Sequence, residues 1–259
     1  MKILLTNDDG VFAPGIAAMA KGIAHAGHDL LVVAPDRERS SVGHSITLTR
    51  PLRLWRIASG PYEAGQDVYA CDGTPSDCVV LALEEVAPET DLVLSGINRG
   101  PNLGDDLTYS GTVSAAMEGV VLGRPSLAVS LAIAPDDAEQ HYETAAEVVL
   151  RLLDRFPGTS LPKGVLLNVN VPNIPLEEIR GILPTRKGVR IYVDKVNRLR
   201  DPRGLTYFWI AGRPEDELVE GTDVWAVAHG AVSVTPVHMD MTHFPTLEHL
   251  RDTFTSVTL

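Results

Sequence analysis

The chain has 259 residues, 44% of them hydrophobic, with 22 glycines and 18 prolines, enough for a large buried core and unlike collagen or a disordered polymer. Its formal charge of −12 lacks the basic footprint a nucleic-acid polymer requires, while a small anion remains within reach of a local cation or a helix end. The start of the chain is no signal peptide, no segment is long and apolar enough to span a membrane, and Cys71 and Cys78 form neither a disulfide framework nor a zinc spacing, so a cytoplasmic protein without a membrane partner is expected.

"KILLT" reads as a buried strand, after which Ile16, Met19, Ala20, Ile23 and Ala24 recur at helical spacing until Gly27. "LLVVAP" is a second strand, apolar throughout as a strand covered on both faces must be. From about residue 40 to 65 the rhythm breaks. "HSITLTRPLRLWRI" alternates with period two, which predicts antiparallel strands outside the central sheet. "DVYAC" is another strand, and Thr74-Pro75 opens a helix whose apolar face is Cys78, Val79, Ala82 and Val86. "DLVLSG" is a strand; Val113, Ala116, Met117, Val120 and Val121 repeat as a helix; "SLAVSLA" is a strand. "DDAEQHYETAAEVVLRLLDRF" predicts one long amphipathic helix and "GVLLNVNVP" a further strand.

This alternation predicts an α/β fold with a mainly parallel sheet flanked by helices. After Pro172 the character changes. "RIYVDKV", "LTYFWIAG" and "TDVWAVAHGAVSVTP" are short β-like runs set among Gly, Pro and charge, predicting hairpins and an arm. The expected organisation is an α/β core over 1–172, with the insertion, and a β-rich extension or arm over 173–259 packed with it.

In open parallel sheets, ligands sit beyond the carboxyl ends of the strands. Three such loops are rich in Asn, Asp, Ser and Gly: Asn7-Asp8-Asp9-Gly10, "PDRERSSVGHS" and "GINRGPNLGDDLTYSGT". Adjacent carboxylates at a strand end become tolerable around a hard divalent cation. Asp8 and Asp9 offer charged oxygens and Ser40 and Asn98 neutral ones. Alone, the same acids fit a simple turn before Gly10 equally well. Ser110-Gly111-Thr112 opens a helix, where backbone N–H groups attract anions, although plain N-capping is the commoner use of such residues. His44 lies close by, as a loop cap or a catalytic group. His238, Asp240 and His243 lack a fourth ligand and read as a solvated or intersubunit stretch.

Taken together, "NDDGVFAPGI", "VVAPDRERSSVGHSIT", "CDGTPSDCV", "SGINRGPNLGDDLTYSGTVSAAMEG", "LNVNVP", "DPRG" and "GAVSVTPVHMD" resemble the SurE family of survival-protein nucleotidases, in order along almost the whole chain. The resemblance implies a Rossmann-like core with a C-terminal arm exchanged between subunits of a homodimer or homotetramer. It implies a phosphatase of nucleoside monophosphates, 5′ and also 3′, with activity on short polyphosphate. It implies one divalent cation per subunit, Mg²⁺ or Mn²⁺, on Asp8, Asp9, Ser40 and Asn98, with Asp8, Asp9 and Asn98 as the catalytic group. Asn102, Ser110, Gly111 and Thr112 correspond to the phosphate contacts. One departure stands out: Ala231 occupies a position in "GAVSVTP" where the family commonly carries Tyr. Three rivals remain. An aspartyl-phosphate phosphatase spaces its acids D-x-D, a zinc deacetylase recruits histidines, and a stress module binds nucleotide or metal without turnover.

Overall fold

Strands that are apolar at every position need cover on both faces, and the fold supplies it. The computed structural model describes residues 1–155, 161–193, 196–210 and 212–255. The chain runs β1 (Lys2–Thr6), α1 (Pro14–His25), β2 (Asp29–Pro35), β3 (Leu54–Arg56), β4 (Asp67–Cys71), α2 (Pro75–Leu81), β5 (Leu92–Arg99), α3 (Gly111–Val121), β6 (Ser126–Ala132) and α4 (Tyr142–Arg155). It continues through β7 (Val165–Pro172), β8 (Ile182–Pro184), β9 (Arg190–Val193), β10 (Val196–Arg200), β11 (Thr206–Ile210), β12 (Arg213–Asp216), α5 (Asp223–Ala228), β13 (Val232–His238) and α6 (Phe244–Phe254).

Nine strands form one sheet in the order β3-β4-β2-β1-β5-β6-β7-β13-β8. From β4 to β7 all neighbours are parallel. The chain builds outward from β1 through β2 to β4, then returns to β5 on the other side of β1. The order therefore reverses at the β1/β5 boundary, where open α/β sheets bind ligands. β1 shows the division of the core. Ile3 and Leu5 pack with Ile16, Met19 and Ile23 of α1 and Ala145 and Val149 of α4, while Leu4 packs on the opposite face with Cys78 and Val79 of α2. Gly15 lets α1 touch β5: a Cβ there would lie 2.0 Å from the Ile97 carbonyl oxygen.

Four expectations need correction. The 40–65 insertion yields one short strand, β3, which pairs antiparallel with β4 and so extends the central sheet instead of standing outside it. The helix expected from Asp136 starts at Tyr142, because Asp137 accepts the Ala134 N–H and Asn173 fastens the preceding turn. "TDVWAVAH" is helical as α5, with the Thr222 hydroxyl accepting the Trp225 N–H as an N-cap. Val121, read as part of the apolar helical repeat of α3, ends that helix exposed and so does not share the repeat's buried side.

The final segments divide. β13 pairs antiparallel with β7 and parallel with β8, so both join the main sheet. By contrast β9 with β12 and β10 with β11 pair in one antiparallel register as a projecting ribbon, every residue of β10 and β11 being exposed. Residues 194–195 of "RIYVDKV", Ala211 of "LTYFWIAG" and Phe156 of the expected long helix lie outside the described residues. Ala231 is buried where α5 turns into β13, its N–H bonded to the Ala226 carbonyl. Among the described residues no helix is long and apolar enough to cross a membrane.

Candidate active site

β1 ends at the switch point, and the next residue closes a turn. The Asn7 side chain accepts the Gly10 N–H at 3.1 Å and donates to the Gly10 carbonyl at 3.0 Å, with Gly10 at φ +102°. Asp8 and Asp9 occupy the interior of that turn. Asp8 is only 4% exposed. Its Oδ1 accepts the Thr112 hydroxyl at 2.6 Å, and a Cβ at Gly111 would lie 2.8 Å from its carboxyl. Asp9 accepts the Arg99 N–H at 3.0 Å.

Burial drives the proton affinity of both acids upward. In Asp8 the Thr112 bonds oppose it; in Asp9 the Asp8 charge adds to it, and Asp9 is raised to about 6. Two desolvated carboxylates with so few donors leave uncompensated negative charge. The oxygens that line the space beside them are hard, and among the described residues neither thiol nor imidazole lines it. That set suits a hard divalent cation and not a zinc site rich in histidine or cysteine.

The loop after β2 is tied to this turn through the Arg39 N–H, 2.7 Å from the Asp8 carbonyl oxygen. Ser40 is exposed, and its hydroxyl donates to Glu38 at 2.7 Å. Asn98 follows a register shift between β5 and β6 and donates to the Gly100 carbonyl at 2.8 Å. Asp8, Ser40, Asn98, Asn102 and Ser110 all line one cleft of about 990 Å³, whose outer wall includes Tyr109, Tyr192 and Ile210. Asp9 opens instead into a hollow of about 310 Å³ that shares Arg99 with the cleft.

The α3 N-terminus differs in detail from a bare anion cradle. The Ser110 hydroxyl caps its own helix through the Val113 N–H, and the Thr112 hydroxyl is held by Asp8. Gly111 makes room first of all for the Asp8 carboxyl. His44 bonds Glu118 of α3 at 2.6 Å and so pins the loop that carries Ser40. Among the described residues no cluster of three or more His, Cys, Asp or Glu is arranged to hold a metal, His238, Asp240 and His243 included.

Some site residues escaped the sequence reading. Arg190 forks onto Asp216 at 2.9 Å through two nitrogens and reaches Asp106 at 2.8 Å, and the Tyr192 hydroxyl donates to Asp106, so the ribbon is braced against the cleft wall. No sequence signal announces this pairing across 84 positions. Asn168 and Asn170 hold the backbone of Asn102. Their signal was present: two amides at period two inside an otherwise apolar strand.

A family model described as "Survival protein SurE" matches residues 3–194. The 5′-nucleotidase SurE of Synechococcus elongatus is 52% identical over 258 residues, covering 96% of this chain and 98% of the relative. That of Legionella pneumophila is 48% identical over 252 residues, covering 96% of each. The crystal structure of the SurE protein from Aquifex aeolicus superposes with a TM-score of 0.83 at 43% identity, covering 98% of this chain and 99% of that one.

Proposed function

This chain belongs to the SurE family, and from that premise we propose that it is a metal-dependent phosphoric monoester hydrolase, a 5′-nucleotidase that releases inorganic phosphate from nucleoside monophosphates. The observation that carries the reading is the desolvated Asp8–Asp9 pair at the sheet's switch point, with Asp8 facing a cleft that Asn98, Asn102 and Ser110 also line.

Asp8 and Asp9, with Ser40 and Asn98, would hold one divalent cation, Mg²⁺ or Mn²⁺; when bound, such an ion polarises a phosphoryl oxygen and acidifies a water. Asp8, Asp9 and Asn98 form the catalytic group, and a carboxylate of the pair accepts the proton of the attacking water. Asn102 and the Ser110-Gly111-Thr112 helix start meet the phosphoryl oxygens, with Asn102 supplying its amide and the helix its dipole. Thr112 also fixes the Asp8 carboxyl. The nucleoside lies toward Tyr109, Tyr192 and Ile210. These side chains supply area and no selective set of donors, since the Tyr192 hydroxyl is already committed to Asp106. Several bases are accordingly accepted, in 3′ as well as 5′ monophosphates, and short polyphosphate is a further substrate. Nucleoside triphosphates are poorer substrates than the monophosphates.

The protein works as a cytoplasmic homodimer or homotetramer joined through the ribbon. The test is phosphate release from a panel of monophosphates, triphosphates and acetylated sugars. Activity disappears with EDTA and returns with Mn²⁺ or Mg²⁺. Deacetylation without phosphate release would select the zinc deacetylase, and tight nucleotide binding without turnover the non-enzymatic module.

A further inference from the structure

Asn168 and Asn170 stand two apart on β7, so both project from one face of the sheet, and both are 0% exposed. Their partners on the adjoining strands continue a polar row: Ser130 and Ser233 flank Asn170, and Thr235 flanks Asn168. Two residues earlier the same face is apolar, Leu166 clustering with Val113 and Ala116 of α3. A buried amide is costly unless its polar atoms find partners.

These amides find theirs in one residue. Asn170 Oδ1 accepts the Asn102 N–H at 2.8 Å, and its Nδ2 donates to the Asn102 carbonyl at 3.0 Å. Asn168 Nδ2 donates to the same carbonyl at 2.9 Å. Ser130 Oγ accepts from the Asn102 side-chain amide at 2.8 Å. Asn102 itself sits in irregular chain between Gly100 at φ +105° and Gly104 at φ +54°. Two strands of a rigid sheet thus set both the backbone and the side chain of a residue on a loop.

We propose that Asn168, Asn170 and Ser130 are positioning residues that hold Asn102 in the orientation in which it meets the phosphoryl group; this rests on the reading of Asn102 as a phosphate contact. A donor fixed before charge develops stabilises it without reorganisation, whereas a donor on a loose loop must be ordered at each binding event. Packing alone would be served by Val or Leu at 168 and 170, the types at 166, 167, 169 and 171. Asn in their place buries amide groups whose bonds, among the described residues, all end on Asn102, and it leaves Asn168 Oδ1 without a partner among them.

The experiment titrates inorganic phosphate into Mn²⁺-saturated protein by calorimetry, with hydrolysis of a nucleoside monophosphate measured in parallel. Ser130→Ala, Asn168→Leu and Asn170→Asp should each weaken phosphate roughly tenfold, the scale of one lost hydrogen bond. Ser130→Ala removes a single oxygen and keeps the test valid if the amide variants fold poorly. In an Asn102→Ala background the same substitutions should add less than about twofold, because the residue they position is gone. Equal losses in both backgrounds, or unchanged phosphate affinity where Asn102→Ala weakens it, would overturn the proposal. If Asn102→Ala itself leaves phosphate affinity unchanged, the phosphate-contact reading fails, and the positioning role with it.

Discussion

Side-by-side carboxylates in a desolvated turn repel each other and bind protons more tightly than free acids do. Asp9 titrates at about 6 in the folded chain against an ordinary 3.8. Between those values the folded form keeps a proton the unfolded form has lost, so this group's contribution to stability is fully present below about 4 and is lost as pH rises through about 6. The melting temperature of chelator-treated protein should therefore fall across that window, and Asp9→Asn should flatten the fall. Asp8→Asn or Asp9→Asn should abolish turnover while circular dichroism shows an intact fold. Near-native rates at saturating Mn²⁺ would refute the ligand assignment. Gly111→Ala is expected to cost activity by a different route: its Cβ would press on the Asp8 carboxyl at 2.8 Å, so Mn²⁺ affinity falls along with turnover.

Among the elements, α2 shows how a cap can serve a distant loop. The Thr74 hydroxyl accepts the Asp77 N–H at 3.1 Å and donates to the Ser45 carbonyl at 2.8 Å, while Asp77 reaches back to the Thr74 N–H and also holds the Thr47 N–H. One capping box thus ends a strand-to-helix turn and fastens the insertion that carries Ser40 and His44. Thr74→Ala should destabilise the protein by about 1 kcal/mol in urea titration. It should also speed amide exchange around residues 43–47, an effect that a loss confined to α2 would not produce.

For the whole molecule, the ribbon is the part that a single chain leaves uncovered. Tyr207, Phe208, Trp209 and Ile210 are all exposed, Ile210 at 91%, and Met241, Phe244 and Phe254 around α6 are exposed as well. Apolar area on this scale is ordinarily covered by a partner. Light scattering should give a dimer or tetramer, and Phe208→Ser with Ile210→Ser should shift it to monomer without unfolding. A monodisperse native monomer would contradict this. Deleting everything beyond Asp201 is a poor test, because it also strips β13 from the main sheet.

The α/β alternation, the strands β1, β2, β4, β5, β6 and β7, and the loops that carry Asp8, Ser40, Asn102 and Ser110 were all legible in the sequence, whereas Asn98, expected in the loop after β5, lies inside that strand and pairs with Ser130 of β6. Each is written in local terms: apolar runs, helical spacing, and polar residues massed at strand ends. Tertiary structure decided what depends on partners far along the chain. β3 became a sheet edge because β4 offered one, and "TDVWAVAH" became helix because the Thr222 cap outweighed a β-like composition. The hydroxyl of Thr112 went to Asp8, 104 positions away, and the amides of Asn168 and Asn170 went to Asn102. A sequence names the donors and acceptors, but only the packed sheet brings one within hydrogen-bond reach of another.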